Sequence, residues 1–176
     1  MEMIGFLSGK VLRVFPKDIL LDVHGVGYRV TVTEQLRSTT SEGDDLSLLT
    51  HLAVREDAMT LYGFEEESGL ELFEILLSVS GIGPKSAMAI VSGTDPGAMK
   101  HAIALGDTAY LTKISGVGKK SAEKIILELR DKFRDLPLSD STYAGQPERE
   151  ALEALESLGY TIRDIRDVVH TIARHH

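Results

Sequence analysis

The chain has 176 residues, a formal net charge of −8 and no cysteine, which excludes disulfides and thiolate metal sites. It has no apolar run of about 18 residues and no signal-peptide pattern, so we expect a soluble, cytoplasmic protein without a membrane partner. The length suits about two or three modules of roughly 50 to 80 residues each.

Residues 1–64 are predicted to form a β domain. Tyr28, Val30 and Val32 alternate with polar residues, as in a half-buried strand. Strand-like composition occurs in residues 4–14, 19–23, 28–32, 46–54 and 58–64. Five short strands favour a small OB-like Greek-key barrel, with an SH3-like barrel as the alternative.

Such a barrel could also bind single-stranded nucleic acid by stacking bases on aromatic side chains. The aromatic residues of this segment are more typical of core packing; they are Phe6, Phe15, Tyr28, Tyr62 and Phe64.

An acidic pair interrupts the apolar run between the last two predicted strands. Glu56 and Asp57 follow Arg55 at the expected hairpin tip, where two carboxylates ordinarily form a solvated turn. They could also be metal ligands or half of an acid/base pair. No carboxylate or histidine at a suitable spacing completes either kind of site.

Residues 65–134 are predicted to be helical and contain an internal repeat. They open with an acidic hinge at residues 65–69. Residues 81–87 read GIGPKSA and residues 116–122 read GVGKKSA, so five of seven positions are identical at an offset of 35. Apolar residues at helical spacing flank both copies in phase, which predicts helix, tight turn and helix twice.

Two further signals punctuate this helical segment. Thr94, Asp95 and Pro96 predict the cap and first turn of another helix. Gly106 and Asp107 predict a break before the second copy of the repeat.

Each repeat has the chemistry of a phosphate-binding turn. Gly-x-Gly leaves no side chain over the turn, and the helix that follows presents free N–H groups to an anion. A lone Gly-x-Gly is usually only a turn, but two in-phase copies with adjacent lysines resemble the helix-hairpin-helix motif, which binds nucleic-acid backbones. The predicted DNA-backbone-binding residues are Gly81, Gly83, Lys85, Gly116, Gly118, Lys119 and Lys120.

The charge distribution agrees with a confined nucleic-acid surface. Residues 110–134 hold seven Lys and Arg against three Asp and Glu, whereas residues 65–109 hold two against seven. The second repeat therefore lies in the basic segment of an otherwise acidic chain, which favours DNA binding at one face.

The C-terminal part is predicted to be a linker followed by a small helical domain. Residues 135–147 are rich in Ser, Asp, Gly and Pro and are expected to be flexible. Residues 148–176 carry two amphipathic helical patterns, too short to bury a large core, so their apolar faces suit a partner. We assign no metal to His175 and His176.

The ordered combination of these motifs resembles the bacterial RuvA family, which recognises Holliday junctions. The resemblance covers the opening residues 3–9, the Gly-Val-Gly-Tyr turn at 25–28, residues 54–58 and 61–64, both hairpins, and residues 155–160. It implies an α+β, multidomain fold: an OB-like barrel (1–64), a tandem helix-hairpin-helix domain (65–134), a linker (135–147) and a motor-docking domain (148–176).

The resemblance also implies a function and partners. The protein would hold an open four-way junction as a homotetramer, with one or two tetramers per junction, in recombination and repair. Glu56 and Asp57 would form an acidic pin at the centre of the tetramer. The third domain would dock the RuvB ATPase, and the RuvC resolvase would share the junction. The expected docking residues are Leu155, Leu158, Tyr160 and Ile165.

The chain itself is expected to be non-catalytic and to need no cofactor or metal. It has no Walker phosphate loop, so the ATPase activity would come from RuvB. RuvA proteins normally have a third C-terminal helix beyond the position where this sequence stops, so the sequence is either truncated or a short member.

Two other functional classes remain as alternatives. A helix-hairpin-helix DNA glycosylase would need a catalytic Lys or Asp beside the hairpin, and Asp131 or Asp135 would have to serve. A protein-interaction scaffold would show no DNA affinity at moderate salt.

Overall fold

Five strands and six helices make up the part of the chain that the computed structural model describes, residues 3–133. The strands are β1 (Phe6–Val14), β2 (Asp18–Val23), β3 (Val26–Val32), β4 (Asp45–Val54) and β5 (Met59–Phe64). The helices are α1 (Glu34–Thr39), α2 (Glu67–Leu77), α3 (Pro84–Ser92), α4 (Pro96–Leu105), α5 (Thr108–Lys113) and α6 (Lys119–Phe133). All of these elements belong to one compact unit.

The five strands close into a barrel in the order β1-β2-β3-β5-β4, with β4 pairing back onto β1. Neighbouring strands are antiparallel except β3 and β5, which are parallel. Alternate side chains fill the interior, as Ile19 and Leu21 do in β2 with 0% exposure. This closed, non-sequential order confirms the predicted OB-like Greek-key barrel over the SH3-like alternative.

Helix α1 lies between β3 and β4 and is not among the predicted elements. Its six residues bury one side chain, Leu36, so the sequence shows no helical periodicity there. The hydroxyl oxygen of Thr33 caps the helix by accepting a hydrogen bond from the Leu36 N–H at 3.3 Å. A helix of six residues with one buried side chain leaves too short a pattern to predict.

The later helices begin and end where the capping signals predict. Asp95 caps α4 by accepting a hydrogen bond from the N–H three residues later at 2.8 Å, and Pro96 is its first residue. Gly106 ends α4 with a left-handed φ of 75°. Asp107 then caps α5 through a 2.9 Å hydrogen bond. The predicted cap at residues 94–96 and break at Gly106 are confirmed.

Aromatic side chains join the barrel to the helices. Phe73 of α2 is fully buried, and its ring centroid lies 5.0 Å from that of Tyr62 and 5.1 Å from that of Phe64, both in β5. These two β5 side chains therefore pack in the helical core rather than inside the barrel. A 3.2 Å contact between Nδ1 of His51 in β4 and Oε1 of Glu74 in α2 crosses the same boundary between barrel and helices, called the seam below.

Two expectations about packing are wrong. The predicted hinge at residues 65–69 is already helical from Glu67 onward. Gly69 is buried in that helix, and a Cβ added there would lie 3.3 Å from Cδ1 of Phe64. Phe6 is not a core residue either, since it is 58% exposed on β1. The connection from β5 to α2 is therefore tightly packed and not a hinge. The small size of Gly69 lets α2 lie close to Phe64 of β5.

Candidate nucleic-acid interface

The two predicted hairpin turns have nearly the same backbone conformation. The first joins α2 to α3 and the second joins α5 to α6. Gly81 has a φ of 90° and Gly116 a φ of 85°, a left-handed conformation that glycine adopts at little cost. The next residue's N–H donates to the carbonyl oxygen two residues before each glycine, at 3.0 Å and 3.1 Å. The sequence repeat is thus a structural repeat. This confirms the prediction of two copies of helix, tight turn and helix.

Both turns lead directly into helix N-termini that are open to a ligand. Gly83 is the N-cap of α3 without a side-chain capping bond, and Gly118 directly precedes α6. The carbonyl oxygens of Gly83 and Gly118 accept the first helical hydrogen bonds, from Ala87 and Ala122, at 2.9 Å each. The preceding first-turn N–H groups have no intrahelical acceptor, so each turn is suited to an anion.

The repeat separates buried alanines from exposed lysines. Ala87 and Ala122 are fully buried, whereas Lys85, Lys119 and Lys120 are exposed. Within residues 3–133, none of these three lysines forms an ion pair. Their positive charges are therefore available to a ligand at the helix N-termini.

The second hairpin is open above both of its glycines. A Cβ added at Gly116 or Gly118 would meet no described atom within 4 Å apart from its immediate neighbours. Gly116 needs glycine for its positive φ, but Gly118 does not have a positive φ. The backbone conformation therefore does not require glycine at residue 118. The absence of a side chain at this position instead leaves space for a ligand close to the backbone.

We expect Gly118→Ala to fold normally and to weaken DNA binding about tenfold, or about 1.4 kcal/mol. The added methyl group would hold a phosphate away from the first-turn N–H donors, and a hydrogen bond to a charged group contributes about 1.5–3 kcal/mol. Fluorescence anisotropy with labelled duplex measures the affinity, and thermal melting of both proteins is the control for folding. Equal affinities would mean that the DNA backbone does not approach this turn.

Two cationic side chains outside the predicted set lie at the first hairpin. A Cβ added at Gly81 would be 3.8 Å from Nζ of Lys124, and one at Gly83 would be 3.6 Å from Nη2 of Arg55. Lys124 belongs to α6, and Arg55 belongs to the turn between β4 and β5. Because tertiary packing brings these residues together from distant parts of the chain, no local sequence signal identifies them.

Helix α6 connects the two hairpins. It begins at the second hairpin, yet Glu128 on the same helix accepts a hydrogen bond from the Ser80 N–H of the first hairpin, at 3.1 Å to Oε2. Nζ of Lys124 lies 3.9 Å from Oε1 of Glu128, one helical turn apart. One helix therefore contacts both turns and fixes their relative position.

The acidic pair lies at the tip of a tight β-hairpin. Val54, the last residue of β4, pairs with Met59, the first residue of β5. Between them, the Arg55 N–H donates to the Ala58 carbonyl oxygen at 2.8 Å. The intervening carboxylates, at residues 56 and 57, are both exposed. The acidic turn and the first hairpin are neighbours, because the guanidinium group of Arg55 lies beside Gly83.

The charge of Arg55 also affects Tyr62, which packs between the barrel and the helices. Burial raises the pKa of the Tyr62 hydroxyl, the nearby positive charge of Arg55 lowers it, and Asp18 raises it. The side chain of Arg55 is therefore close enough to β5 and the first hairpin to affect both, although its backbone is part of the acidic turn.

The alternative sites find little support in the described residues. Within residues 3–133 no group of three or more His, Cys, Asp or Glu side chains could hold a metal ion. Asp131 is exposed on α6, twelve residues beyond Lys119 and thus about 18 Å from the second hairpin along the helix axis. Asp135 lies outside the described residues.

The predictions for the C-terminal part also fall outside the described residues. They concern the linker at 135–147, the domain at 148–176 and the docking residues; the latter are Leu155, Leu158, Tyr160 and Ile165. Among the helices that are described, none is long and apolar enough to cross a membrane.

Comparison with known proteins adds two family matches and a set of relatives. Residues 3–63 match the RuvA N terminal domain, and residues 73–131 match the SAM-like Helix-hairpin-helix tandem. The Holliday junction branch migration complex subunit RuvA of Desulforudis audaxviator (strain MP104C) is 40% identical, over 97% of this chain and 90% of the relative.

Proteins of the same name from other bacteria match to a similar extent. The protein of Nocardia farcinica (strain IFM 10152) is 37% identical, over 97% of this chain and 88% of its own length. That of Moorella thermoacetica (strain ATCC 39073 / JCM 9320) is 41% identical, over 95% and 85%. The matched families cover the barrel with its acidic turn and both hairpins.

Proposed function

Because this chain belongs to the RuvA family, we propose that it binds Holliday junctions through the DNA backbone as a subunit of a branch migration complex. Its relatives are named as the RuvA subunit of the Holliday junction branch migration complex. The chain acts without catalysing a reaction itself. It holds the junction open in recombination and repair, while a partner ATPase, RuvB, drives the DNA.

The observation that carries this proposal is the matched pair of hairpins. A single open helix N-terminus suits any small anion. Two of them, with nearly identical turns and contacted by one helix, suit a polymer with regularly spaced phosphates. Backbone contacts of this kind position a protein on DNA without reading bases, which is appropriate for a junction of any sequence.

Copies of the chain assemble around the junction as tetramers in this proposal, either one tetramer of four copies or two tetramers on opposite faces. Val54 and Met59, at the base of the acidic turn, are 66% and 76% exposed. Adjacent exposed apolar side chains favour contact with another surface. Assembly would cover these residues and bring the acidic turns of the four copies together where the DNA strands cross.

The carboxylates of Glu56 and Asp57 act there by repulsion. Phosphates that approach a cluster of carboxylates are repelled, most strongly where protein excludes water and salt. Strands that reach the crossing would separate around the acidic turns and enter the neighbouring arms. The hairpins attract the arms while the turns repel the crossing strands, so attraction and repulsion act at different places on the DNA.

Replacing Glu56 by Gln and Asp57 by Asn together should leave junction affinity unchanged or raise it by up to about tenfold, roughly 1.4 kcal/mol. The change removes repulsion while keeping side-chain size at an exposed turn. Branch migration of a synthetic junction in the presence of RuvB should slow or lose its directionality. A large loss of affinity would instead mean that the pair supports the fold or the contacts between copies.

The remaining partners belong to the same proposal. The C-terminal domain would dock RuvB through its apolar residues, with Leu155, Leu158, Tyr160 and Ile165 as candidates. The RuvC resolvase would meet this protein through the shared junction rather than through a dedicated surface.

The experiment that tests the proposal is a competition between an immobile four-way junction and linear duplex of the same arm sequence, near physiological salt. Molecular mass is measured on the same samples. We expect a tetramer with strong preference for the junction. Equal affinity for the two DNAs, or a monomer on the junction, would contradict the proposal and return the repair-enzyme alternative to consideration.

A further inference from the structure

The first hairpin carries fewer cations of its own than the second. Its repeat contributes Lys85, whereas the second contributes Lys119 and Lys120. Residues 65–109 also hold two Lys and Arg against seven Asp and Glu. A phosphate at the first hairpin would lie in an acidic segment unless other elements supply positive charge.

Lys124 of α6 supplies one such charge. A Cβ added at Gly81 would be 3.8 Å from its Nζ. The lysine side chain is 42% exposed, and its ion pair with the partly exposed Glu128 is long, at 3.9 Å. Exposed pairs of this kind contribute little to stability, so Lys124 can exchange this carboxylate for a phosphate oxygen at small cost.

Arg55 supplies a second charge from a different element, the turn between β4 and β5. Its Nη2 would be 3.6 Å from a Cβ added at Gly83, the N-cap of α3. A guanidinium group can donate two parallel hydrogen bonds to one phosphate, which makes arginine well suited to phosphate recognition. Because Arg55 is exposed, these donors can turn toward a ligand above the turn.

We infer that Arg55 and Lys124 complete the phosphate-binding site of the first hairpin, an inference that rests on the proposed function. With Lys85, the site then takes cations from three elements: the β4–β5 turn, α3 and α6. An anionic oxygen is already bound at this turn, since Glu128 accepts a hydrogen bond from the Ser80 N–H at 3.1 Å. This hydrogen bond uses the Ser80 N–H and not a first-turn N–H of α3, so the α3 donors still lack an intrahelical acceptor.

This arrangement places the phosphate-binding site for a DNA arm next to the acidic turn. Arg55 directly precedes Glu56 and Asp57 in the chain. A strand whose phosphate is held by Arg55 therefore lies beside the carboxylates that repel it further on. Arg55 would fix the position at which a strand begins to bend away from the acidic turn.

The inference is tested by single substitutions that remove charge, Arg55→Gln and Lys124→Gln, with Lys17→Gln as the matched control. Lys17 is exposed in the turn between β1 and β2. Affinity for the four-way junction is measured between about 50 and about 200 mM salt. Each of the two test variants should bind about fivefold more weakly near 0.15 M salt and flatten the log–log salt slope by about 0.9. The control should keep the wild-type slope.

Arg55→Lys separates recognition from charge. It should restore the salt slope but only part of the affinity, because lysine cannot form the two parallel hydrogen bonds of a guanidinium group. All four variants should melt at the wild-type temperature, since each replaces a side chain that is exposed or partly exposed.

The outcomes distinguish this inference from the proposed function. Wild-type slopes in Arg55→Gln and Lys124→Gln, with weaker binding on loss of Lys119 and Lys120, would overturn the inference and leave junction binding intact. A slope change in Lys17→Gln equal to theirs would also overturn it, because the effect would then be one of net charge. If the wild-type protein does not prefer the junction, the proposed function fails before the variants are compared.

Discussion

Phe73→Ala is expected to lower the free energy of unfolding by about 3–5 kcal/mol, the usual cost of deleting a buried phenylalanine side chain. The ring is fully buried and packs against Tyr62 and Phe64 at centroid distances of 5.0 and 5.1 Å. The His51 ring packs edge-to-face with it, at a centroid distance of 5.3 Å. Removing the Phe73 ring opens a cavity between the barrel and the helices, where residues from β4, β5 and α2 meet. Urea unfolding followed by circular dichroism measures the loss.

The matched control for this prediction is Phe6→Ala. Phe6 has the same side chain but is 58% exposed on β1, so its replacement should cost less than about 1 kcal/mol. Equal losses in the two variants would contradict the assignment of Phe73 as the central residue of the seam. The Phe73 variant should also bind DNA more weakly under conditions where it is folded, because Phe73 packs the helices against β5 and Arg55, in the turn before β5, lies beside Gly83 of the first hairpin.

The strands were predictable because their signal is local, whereas their arrangement was not. Alternation such as that of Tyr28, Val30 and Val32 marks a half-buried strand from sequence alone. The barrel requires the parallel pairing of β3 with β5, and this pairing depends on contacts between residues about thirty positions apart. For that reason the sequence favoured an OB-like barrel without excluding an SH3-like one.

Capping chemistry was predictable and packing around glycine was not. Asp95 caps α4, as predicted, by accepting a hydrogen bond from the N–H three residues later. Asp107, predicted only as part of a break, caps α5 in the same way. Gly69 was expected in a hinge, yet it lies in α2 against Phe64. A glycine can provide flexibility or close approach, and only the tertiary contact decides between them.

The candidate site shows the same division. The repeat predicted both turns, and Gly81 and Gly116 have the expected left-handed conformation. Lys124 is among the seven Lys and Arg of residues 110–134, the basic segment that carries the second hairpin. In the folded protein its amine is beside Gly81 of the first hairpin. The two turns could be predicted from the repeat, whereas the cations that another element brings to the first turn could not.

Replacing Lys119 and Lys120 together by alanine is expected to weaken junction binding about 30-fold near 0.15 M salt and to flatten the log–log salt slope by about 1.8. Both lysines are exposed at the start of α6, beside the open second hairpin. Each phosphate contact that is lost retains its counterions, which lowers both the affinity and its dependence on salt. Anisotropy titrations of junction and duplex at several salt concentrations measure both quantities, and linear duplex should be affected as well.

The same substitution should leave the protein equally stable or more stable, by up to about 1 kcal/mol. The first turn of α6 contains no acidic residue, and lysines at a helix N-terminus are unfavourable because the helix dipole is positive there. Lys113→Ala is the control of opposite sign: Lys113 lies in the last turn of α5, where a positive charge is favourable, so its loss should lower stability slightly.

A Lys119/Lys120 double variant that bound DNA normally would show that these lysines are not part of the interface. One that lost stability along with affinity would mean that they support α6, whereas weaker binding by a more stable protein is the result expected if the two charges are there to contact DNA.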